Sequence, residues 1–130
     1  METILVINPG STSTKIGVFR DLKEAFTETV THSAQEISRY ASIADQYGFR
    51  EKHIRDALKT RGFDAAGISA VVGRGGLLRP IPGGVYRVTE PMLQDLRAAK
   101  YGEHASNLGA LIAHALGREW GVPSFIADPV

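Results

Sequence analysis

The stretch ILVINPGSTSTKIGVF, residues 4–19, decides how the chain folds. Ile4 to Ile7 form a short, mostly β-branched apolar run of the kind found in buried strands. Pro9-Gly10 ends this run, and a second apolar run starts at Ile16. The segment therefore predicts two strands joined by a tight polar turn, a β-hairpin at the start of the chain.

The turn of this hairpin carries four consecutive hydroxyl residues, 11–14, followed by Lys15. Backbone N–H groups and hydroxyls in such a turn donate hydrogen bonds to anions, and the lysine adds a positive charge. The composition of the turn therefore favours a phosphate-binding hairpin.

Two other interpretations of this turn are an ordinary hairpin with solvated Ser and Thr side chains, and a P-loop. The P-loop pattern G-x-x-x-x-G-K-[ST] leads into a helix. Here the second glycine is missing, Ile16 follows the lysine, and a strand follows rather than a helix. The P-loop is excluded, while the ordinary hairpin stays open on the residues of the turn alone.

The composition indicates one globular domain. The chain has 130 residues, 43% of them hydrophobic, no Cys and a formal net charge of +1. A charge this close to zero argues against a nucleic-acid-binding surface. The apolar run at the N-terminus is too short for a signal peptide or a membrane span, which with the lack of Cys predicts a cytoplasmic protein without a membrane partner.

Residues 24–128 alternate strand and helix patterns. Predicted strands are 24–30, 68–72 and 124–127; predicted helices are one capped by Ser33, interrupted at Gly48 and ended by Gly62, a short one capped by Thr89, and a longer one starting at 106 or 107. The charged residues between 50 and 59, Arg50 among them, are interpreted as a solvated helix face. Together with the hairpin, this predicts an α/β fold with a mixed five-stranded sheet and helices on both faces.

Two stretches resemble the acetate/butyrate kinase family, which belongs to the superfamily of sugar kinases, actin and heat-shock ATPases. The pattern Asn8-x-Gly10-Ser11-x-Ser13-x-Lys15 resembles the first phosphate loop of that family. The longer string INPGSTSTK, and the stretch RGGLLRPIPGGVY at 74–86, are most similar to the butyrate kinases. The resemblance implies a ribonuclease H-like (actin-like ATPase) fold. It also implies that residues 1–130 are the N-terminal, acyl-acid- and phosphate-binding domain of a two-domain kinase whose second domain is absent from this chain.

Arg74 stands between two glycines at the end of a predicted strand. It is either a surface arginine in a loop or a guanidinium that a bare backbone brings close to a ligand, where its planar fork would bind a carboxylate or phosphoryl group. In the family, the arginine at this position contacts substrate. Acetate kinases have histidines beside it, and Gly73 and Gly75 here favour a longer acyl acid.

His104 directly precedes the strongest helix pattern. A histidine at a helix start is often structural, but the positive potential of a helix N-terminus also favours an anion beside it. In the family, the matching histidine lies close to the transferred phosphoryl group.

Asp128 follows the last predicted strand, at the edge where α/β proteins place ligands. It is either part of an Asp-Pro turn or, as the resemblance implies, an active-site aspartate. A carboxylic-acid substrate with a pKa near that of Glu, about 4.3, is already ionised at neutral pH and needs no general base. Asp128, with Asn8, is therefore predicted to hold Mg²⁺ through the water shell of the ion.

The resemblance thus implies an enzyme that interconverts ATP and a short-chain carboxylic acid with ADP and an acyl phosphate. It uses Mg²⁺, binds a nucleotide and a small carboxylic acid, and forms homo-oligomers. Arg74, His104 and Asp128 are its candidate catalytic residues, and Asn8, Gly10, Ser11, Ser13 and Lys15 its candidate phosphate-binding residues.

Alternatives are a kinase for acetate or a branched acid, and a phosphate-binding or assembly module without catalysis. The 130 residues alone are expected to bind phosphate weakly, to catalyse nothing and to self-associate through an uncovered apolar sheet face.

Overall fold

The predicted hairpin is confirmed. In the computed structural model, which describes residues 2–76, 78 and 83–128, strand β1 (Thr3–Pro9) pairs antiparallel with β2 (Ser13–Arg20). Asn8 lies directly opposite Lys15 in this pairing, which places the two side chains on the same face of the sheet.

The hairpin forms one side of a mixed six-stranded sheet with the strand order β3-β2-β1-β4-β6-β5. The remaining strands are β3 (Lys23–Thr31), β4 (Ala70–Arg74), β5 (Val85–Arg87) and β6 (Ser124–Ala127). Strands β1, β4 and β6 run parallel, and β2, β3 and β5 pair antiparallel with their neighbours. The carboxyl ends of β1, β4 and β6 therefore meet at one edge.

In the described part of the chain, four α-helices accompany the sheet: α1 (Ala34–Ile37), α2 (Tyr47–Thr60), α3 (Glu90–Arg97) and α4 (Leu108–Trp120). Helix α4 packs on β1, β4 and β6, and both α2 and α3 pack against α4. The three longer helices thus share one face of the sheet. On that face Leu5, Ile7 and Ile16 are fully buried, whereas Ile4 and Val6, which alternate with them and point the other way, are only half-buried.

Two details of the predicted architecture need correction. The sheet has six strands rather than five, because the three-residue β5 pairs with β6 as an edge strand. Its short run Val85-Tyr86-Arg87 carries too little apolar periodicity to be recognised from sequence. Within the described residues the longer helices cover one face of the sheet, not both, since α2 and α3 pack on α4 instead of crossing to the opposite face.

The predicted helix caps form, but one helix boundary differs. Ser33 caps α1 and exchanges hydrogen bonds with Glu36, and Thr89 accepts from the N–H of Met92 at the start of α3. Gly48, however, lies inside α2 instead of interrupting a helix. No helix among residues 2–76, 78 and 83–128 combines the length and the apolar character that crossing a membrane requires.

A close approach of β4 and α4 fixes the strand that carries Arg74. A Cβ atom on Gly73 would overlap the carbonyl group of Gly109, and a Cβ on Gly109 would lie 3.0 Å from the carbonyl oxygen of Arg74. Two glycines facing each other therefore let the helix backbone lie directly on the strand.

We expect Gly73→Ala to lower the free energy of unfolding by about 3 kcal/mol, because the added methyl group overpacks a backbone contact. Gly48→Ala is the matched control. Apart from its chain neighbours and the backbone of its own helix, no described heavy atom lies within 4 Å of a Cβ built there, and alanine in a helix should stabilise by about 0.5–1 kcal/mol over glycine. Urea unfolding of both variants measures the difference, and equal stability of the two would contradict the packing described here.

Candidate active site

Three of the candidate residues lie at the edge where the parallel strands end. Asn8 is next to last in β1, Arg74 is the last residue of β4, and Asp128 directly follows β6. In the register of the sheet, Ile7 pairs with Gly73, and Arg74 pairs with Ala127. The parallel pairing of the three strands therefore brings these residues to one edge of the sheet.

Asn8, Lys15 and Arg74 line one cavity of about 210 Å³ on the sheet face that the longer helices leave open. Its floor is apolar, and the carboxylate of Glu24 also lines it. All three candidate side chains are exposed. An amide and two cations that share an open cavity suit an anionic ligand with several oxygens.

The turn at 10–13 directs its carbonyl groups into the protein. The N–H of Gly10 donates to the carbonyl of Ser13 at 2.7 Å, and the N–H of His32 donates to the carbonyl of Thr12 at 2.9 Å. The carbonyls of Gly10, Ser11 and Ser13 all accept from a single side chain, that of Arg50. Among residues 2–76, 78 and 83–128, no group accepts from the N–H of Ser11 or Thr12.

Arg50 is the residue that the sequence interpretation placed wrongly. Its side chain is 1% exposed, not part of a solvated face. The pattern that reveals it is helical spacing: the buried residues of α2 are Arg50, Ile54 and Leu58, four apart. Arg50 thus begins the apolar stripe of its own helix and points into the core under the hairpin turn.

Below the turn, Thr14 joins Arg50 to His32. The Thr14 hydroxyl oxygen lies 3.3 Å from Arg50 Nη1, which donates, and 2.9 Å from His32 Nε2. An oxygen that accepts from arginine keeps its own proton free to donate to an unprotonated Nε2. The geometry fits a neutral His32.

The pKa of His32 is lowered to about 4, mainly by burial and then by the nearby charges of Arg50 and His53, against an opposing effect of Glu36. The His32 ring is 2% exposed and packs against the rings of Phe49 and His53, at centroid distances of 5.3 and 5.4 Å. A protonated His32 would therefore place a second buried cation beside Arg50.

This shift makes the fold sensitive to acid. The unfolded chain takes up a proton at His32 near pH 6.5 and the folded chain only near pH 4, so the stability that neutral His32 contributes is complete above about pH 6.5 and is lost as the pH falls towards 4. Between pH 7 and 4.5 we expect the wild type to lose about 2 kcal/mol more than His32→Gln, measured by urea unfolding. His114→Gln, in α4, is the control. Equal losses in the wild type and in His32→Gln would show that His32 does not titrate in this way.

His104 lies at the N-terminus of a short 3₁₀ turn, Ala105–Asn107, that leads into α4. Its Nδ1 accepts from the N–H of Ser106 at 3.0 Å and lies 2.7 Å from the Ser106 hydroxyl. A ring that accepts at Nδ1 carries its proton at Nε2, so the exposed imidazole presents a donor. The cap thus holds the ring in the tautomer that can donate to an anion.

Gly75 and Gly76 connect the end of β4 to this cap. Both have left-handed backbone angles, φ +84° and +115°, and a Cβ on Gly75 would lie 2.8 Å from the Cβ of Ser106. The glycines after Arg74 therefore let its strand end pass directly beside the start of α4. The stretch that follows, at 77 and 79–82, lies outside the described residues.

Asp128 is exposed and has a left-handed backbone, with φ 52°. It exchanges two hydrogen bonds with Gly84: its N–H donates to the carbonyl of Gly84 at 2.7 Å, and its Oδ1 accepts from the N–H of Gly84 at 3.0 Å. One carboxylate oxygen is thus committed to the loop before β5.

Comparison with known proteins relates the chain to one group of enzymes. It is 53% identical over 127 residues to a probable butyrate kinase of Clostridium botulinum (strain Eklund 17B), and 52% identical over 130 residues to butyrate kinase 1 of Clostridium acetobutylicum. These matches cover 98% and 100% of this chain but 36% and 37% of the two relatives. No protein-family model matches the sequence.

The fold has a counterpart in solved structures. An acetate kinase of Porphyromonas gingivalis aligns with a TM-score of 0.59 over 98% of this chain and 37% of that protein, at 14% identity. At this identity the likeness concerns the fold alone, and it agrees with the expected ribonuclease H-like arrangement. Over essentially its whole length, the chain is thus similar in sequence to butyrate kinases, and it spans a little over a third of the length of these two relatives.

Proposed function

We propose that this chain is the acyl-acid- and phosphate-binding domain of a carboxylate kinase that transfers a phosphoryl group between ATP and a short-chain carboxylic acid, with butyrate as the preferred acid. The observation that carries the proposal is the convergence of Asn8, Lys15 and Arg74 on one cavity beside the hairpin turn. Among the described residues, the N–H groups of Ser11 and Thr12 in that turn have no acceptor. The turn takes the phosphate, and the two cations balance the charge of the transferred group.

Phosphoryl transfer to a carboxylate needs few groups beyond this turn and these two cations. The acid is ionised at neutral pH and attacks phosphorus without a general base, so catalysis consists of positioning and of neutralising charge. Lys15 on β2 and Arg74 on β4, the strands on either side of β1, supply positive charge to the cavity. His104 offers an Nε2–H donor at the N-terminus of a helical turn, where an anion is favoured.

A Mg²⁺ ion would supply further neutralisation of the phosphates when bound. Among the described residues, no three His, Asp or Glu side chains converge on one point. Mg²⁺ keeps several waters and needs only one or two carboxylates beside the substrate phosphates, so the exposed Asp128 and Asn8 suit contact through water. Asp128 would do so with the carboxylate oxygen that is not bonded to Gly84.

The proposed reaction is tested with the full-length protein that carries this chain. Acyl phosphate formation is measured with ATP, Mg²⁺ and acetate, butyrate or isobutyrate in turn. We expect the largest kcat/KM with butyrate, by at least about 30-fold over acetate, since butyrate has two more methylenes and each contributes about 1–3 kcal/mol in an apolar pocket. If acetate or isobutyrate gives the largest kcat/KM, the assignment of butyrate as the preferred acid is wrong. If none of the three acids yields an acyl phosphate, the proposed kinase activity is rejected.

We expect Asp128→Asn to raise the Mg²⁺ concentration needed for half-maximal rate, while the pH profile between about 6 and 8 keeps its shape, because the carboxylate binds ion-held water and transfers no proton. Asp64→Asn, which alters an aspartate of the loop before β4, is the control. A lost limb of the pH profile with unchanged Mg²⁺ dependence would instead make Asp128 a general base.

A further inference from the structure

The hairpin turn rests on a buried cation that no acidic group of the described residues neutralises. Arg50 reaches the turn from α2, and its guanidinium donates to the carbonyls of Gly10 at 2.6 Å, Ser13 at 3.0 Å and Ser11 at 3.1 Å. Its Nε and Nη2 also donate to the Gln46 side-chain oxygen, at 3.1 and 3.0 Å. All of these acceptors are neutral.

Within the described residues, no carboxylate lies within ion-pair distance of Arg50. The contrast with Arg55, on the same helix, is sharp: Arg55 pairs with Glu51 and with Glu119. An arginine remains charged even when burial disfavours its cation. Burying a charge without a counter-ion costs folding free energy. The burial of Arg50 therefore suggests that this residue has a function that offsets its cost in stability.

The hydrogen bonds of Arg50 fix the direction of the peptide groups in the turn. In a trans peptide the C=O of one residue and the N–H of the next point in opposite directions. With the Gly10 and Ser11 carbonyls held on Arg50, the N–H groups of Ser11 and Thr12 are turned away from the core. These are the two N–H groups of the exposed turn that lack an acceptor in the described part of the chain.

Strand alternation extends this arrangement into β2. Thr14 is fully buried and accepts from Arg50, so the residues that flank it, Ser13 and Lys15, point to the opposite face of the sheet. Lys15 lines the open cavity there with Arg74. The turn thus has Arg50 on its inner side and the proposed phosphate site on its outer side.

We propose that Arg50 is a positioning residue for phosphate binding: it draws the turn carbonyls inward, which directs the Ser11 and Thr12 N–H groups to the ligand, and it leaves an uncompensated positive charge behind the turn. The inference rests on the proposed phosphate-binding function of the hairpin. Arg50 itself touches no ligand and acts through the backbone.

The test is a titration of ¹⁵N-labelled protein with inorganic phosphate, followed at the amide resonances of Ser11 and Thr12. In the wild type these two resonances shift saturably. Arg50→Lys keeps the charge but offers a single nitrogen, whereas the guanidinium reaches the turn carbonyls with both Nη1 and Nη2. Because one ammonium group cannot hold all of these carbonyls, we expect the phosphate affinity of this variant to fall by about tenfold. Arg55→Lys is the same substitution on the same helix and should bind as the wild type does.

A second variant covers the case in which Arg50→Lys does not fold, as judged by circular dichroism and thermal unfolding. Gln46→Met keeps the arginine but removes the acceptor that orients it, and should weaken phosphate binding in the same direction by a smaller factor. Unchanged shifts and affinity in a folded Arg50→Lys, or in Gln46→Met when the former does not fold, overturn this inference and leave the phosphate loop standing. A wild type whose Ser11 and Thr12 resonances ignore phosphate rejects the phosphate loop itself and the role of Arg50 with it.

Discussion

Lys15→Ala should lower kcat/KM of the full-length protein for acyl phosphate formation by about 10³-fold or more. Removing a cation that balances charge on a transferred phosphoryl group costs about 10³–10⁵ in rate. Lys15 faces the open cavity directly opposite Asn8 in the hairpin, so its ammonium is placed for this task and bonds to no acidic side chain among the described residues.

Lys23→Ala is the control for this variant, because Lys23 is an exposed lysine at the start of the outer strand β3. Both changes remove one ammonium group from the paired strands β2 and β3, but of the two lysines only Lys15 lines the cavity. A rate within twofold of the wild type for Lys15→Ala would show that the turn and its lysine take no part in phosphoryl transfer.

Arg74→Lys is expected to lower kcat/KM by at least about 10²-fold, and Arg74→Ala by more. The planar fork of arginine binds two oxygens of a carboxylate or phosphoryl group at once, whereas lysine supplies a point charge. Loss of one preorganised donor in a transition-state site costs about 10²–10³. Comparing kcat/KM of Arg74→Lys with that of Arg74→Ala separates the effect of the planar geometry of arginine from the effect of its charge.

Arg87→Lys serves as the control, since Arg87 is an exposed arginine on β5 that pairs with Phe125, away from the carboxyl end of β6. The assay is steady-state kinetics with the acid and with ATP varied separately, which shows which substrate the arginine holds. Full activity of Arg74→Lys would mean that charge alone is needed at this position, and full activity of Arg74→Ala would remove Arg74 from the site.

Much of the architecture followed from local pattern. The apolar runs that flank Pro9-Gly10 predicted the hairpin, and the cap residues Ser33 and Thr89 predicted two helix starts, because these preferences act over a few neighbouring residues. Arg50 and β5 did not follow in this way. Arg50 is buried because it bonds to residues 36–40 positions earlier in the chain, and β5 forms because it pairs with β6. Neither partner can be recognised from the residues next to Arg50 or to β5.

The same distinction between local pattern and distant partners applies to the candidate site. The chemical groups of the site can be recognised in the sequence: a hydroxyl-rich turn with Lys15, an arginine between glycines, and a histidine at a helix start. Their arrangement comes from the folding of distant segments, since parallel pairing of β1, β4 and β6 brings Asn8, Arg74 and Asp128 to one edge. It also decided the orientation of the turn. The carbonyls of the turn accept hydrogen bonds from Arg50, on a helix that begins 34 residues after the end of the turn. The turn residues themselves do not specify which way their peptide groups point.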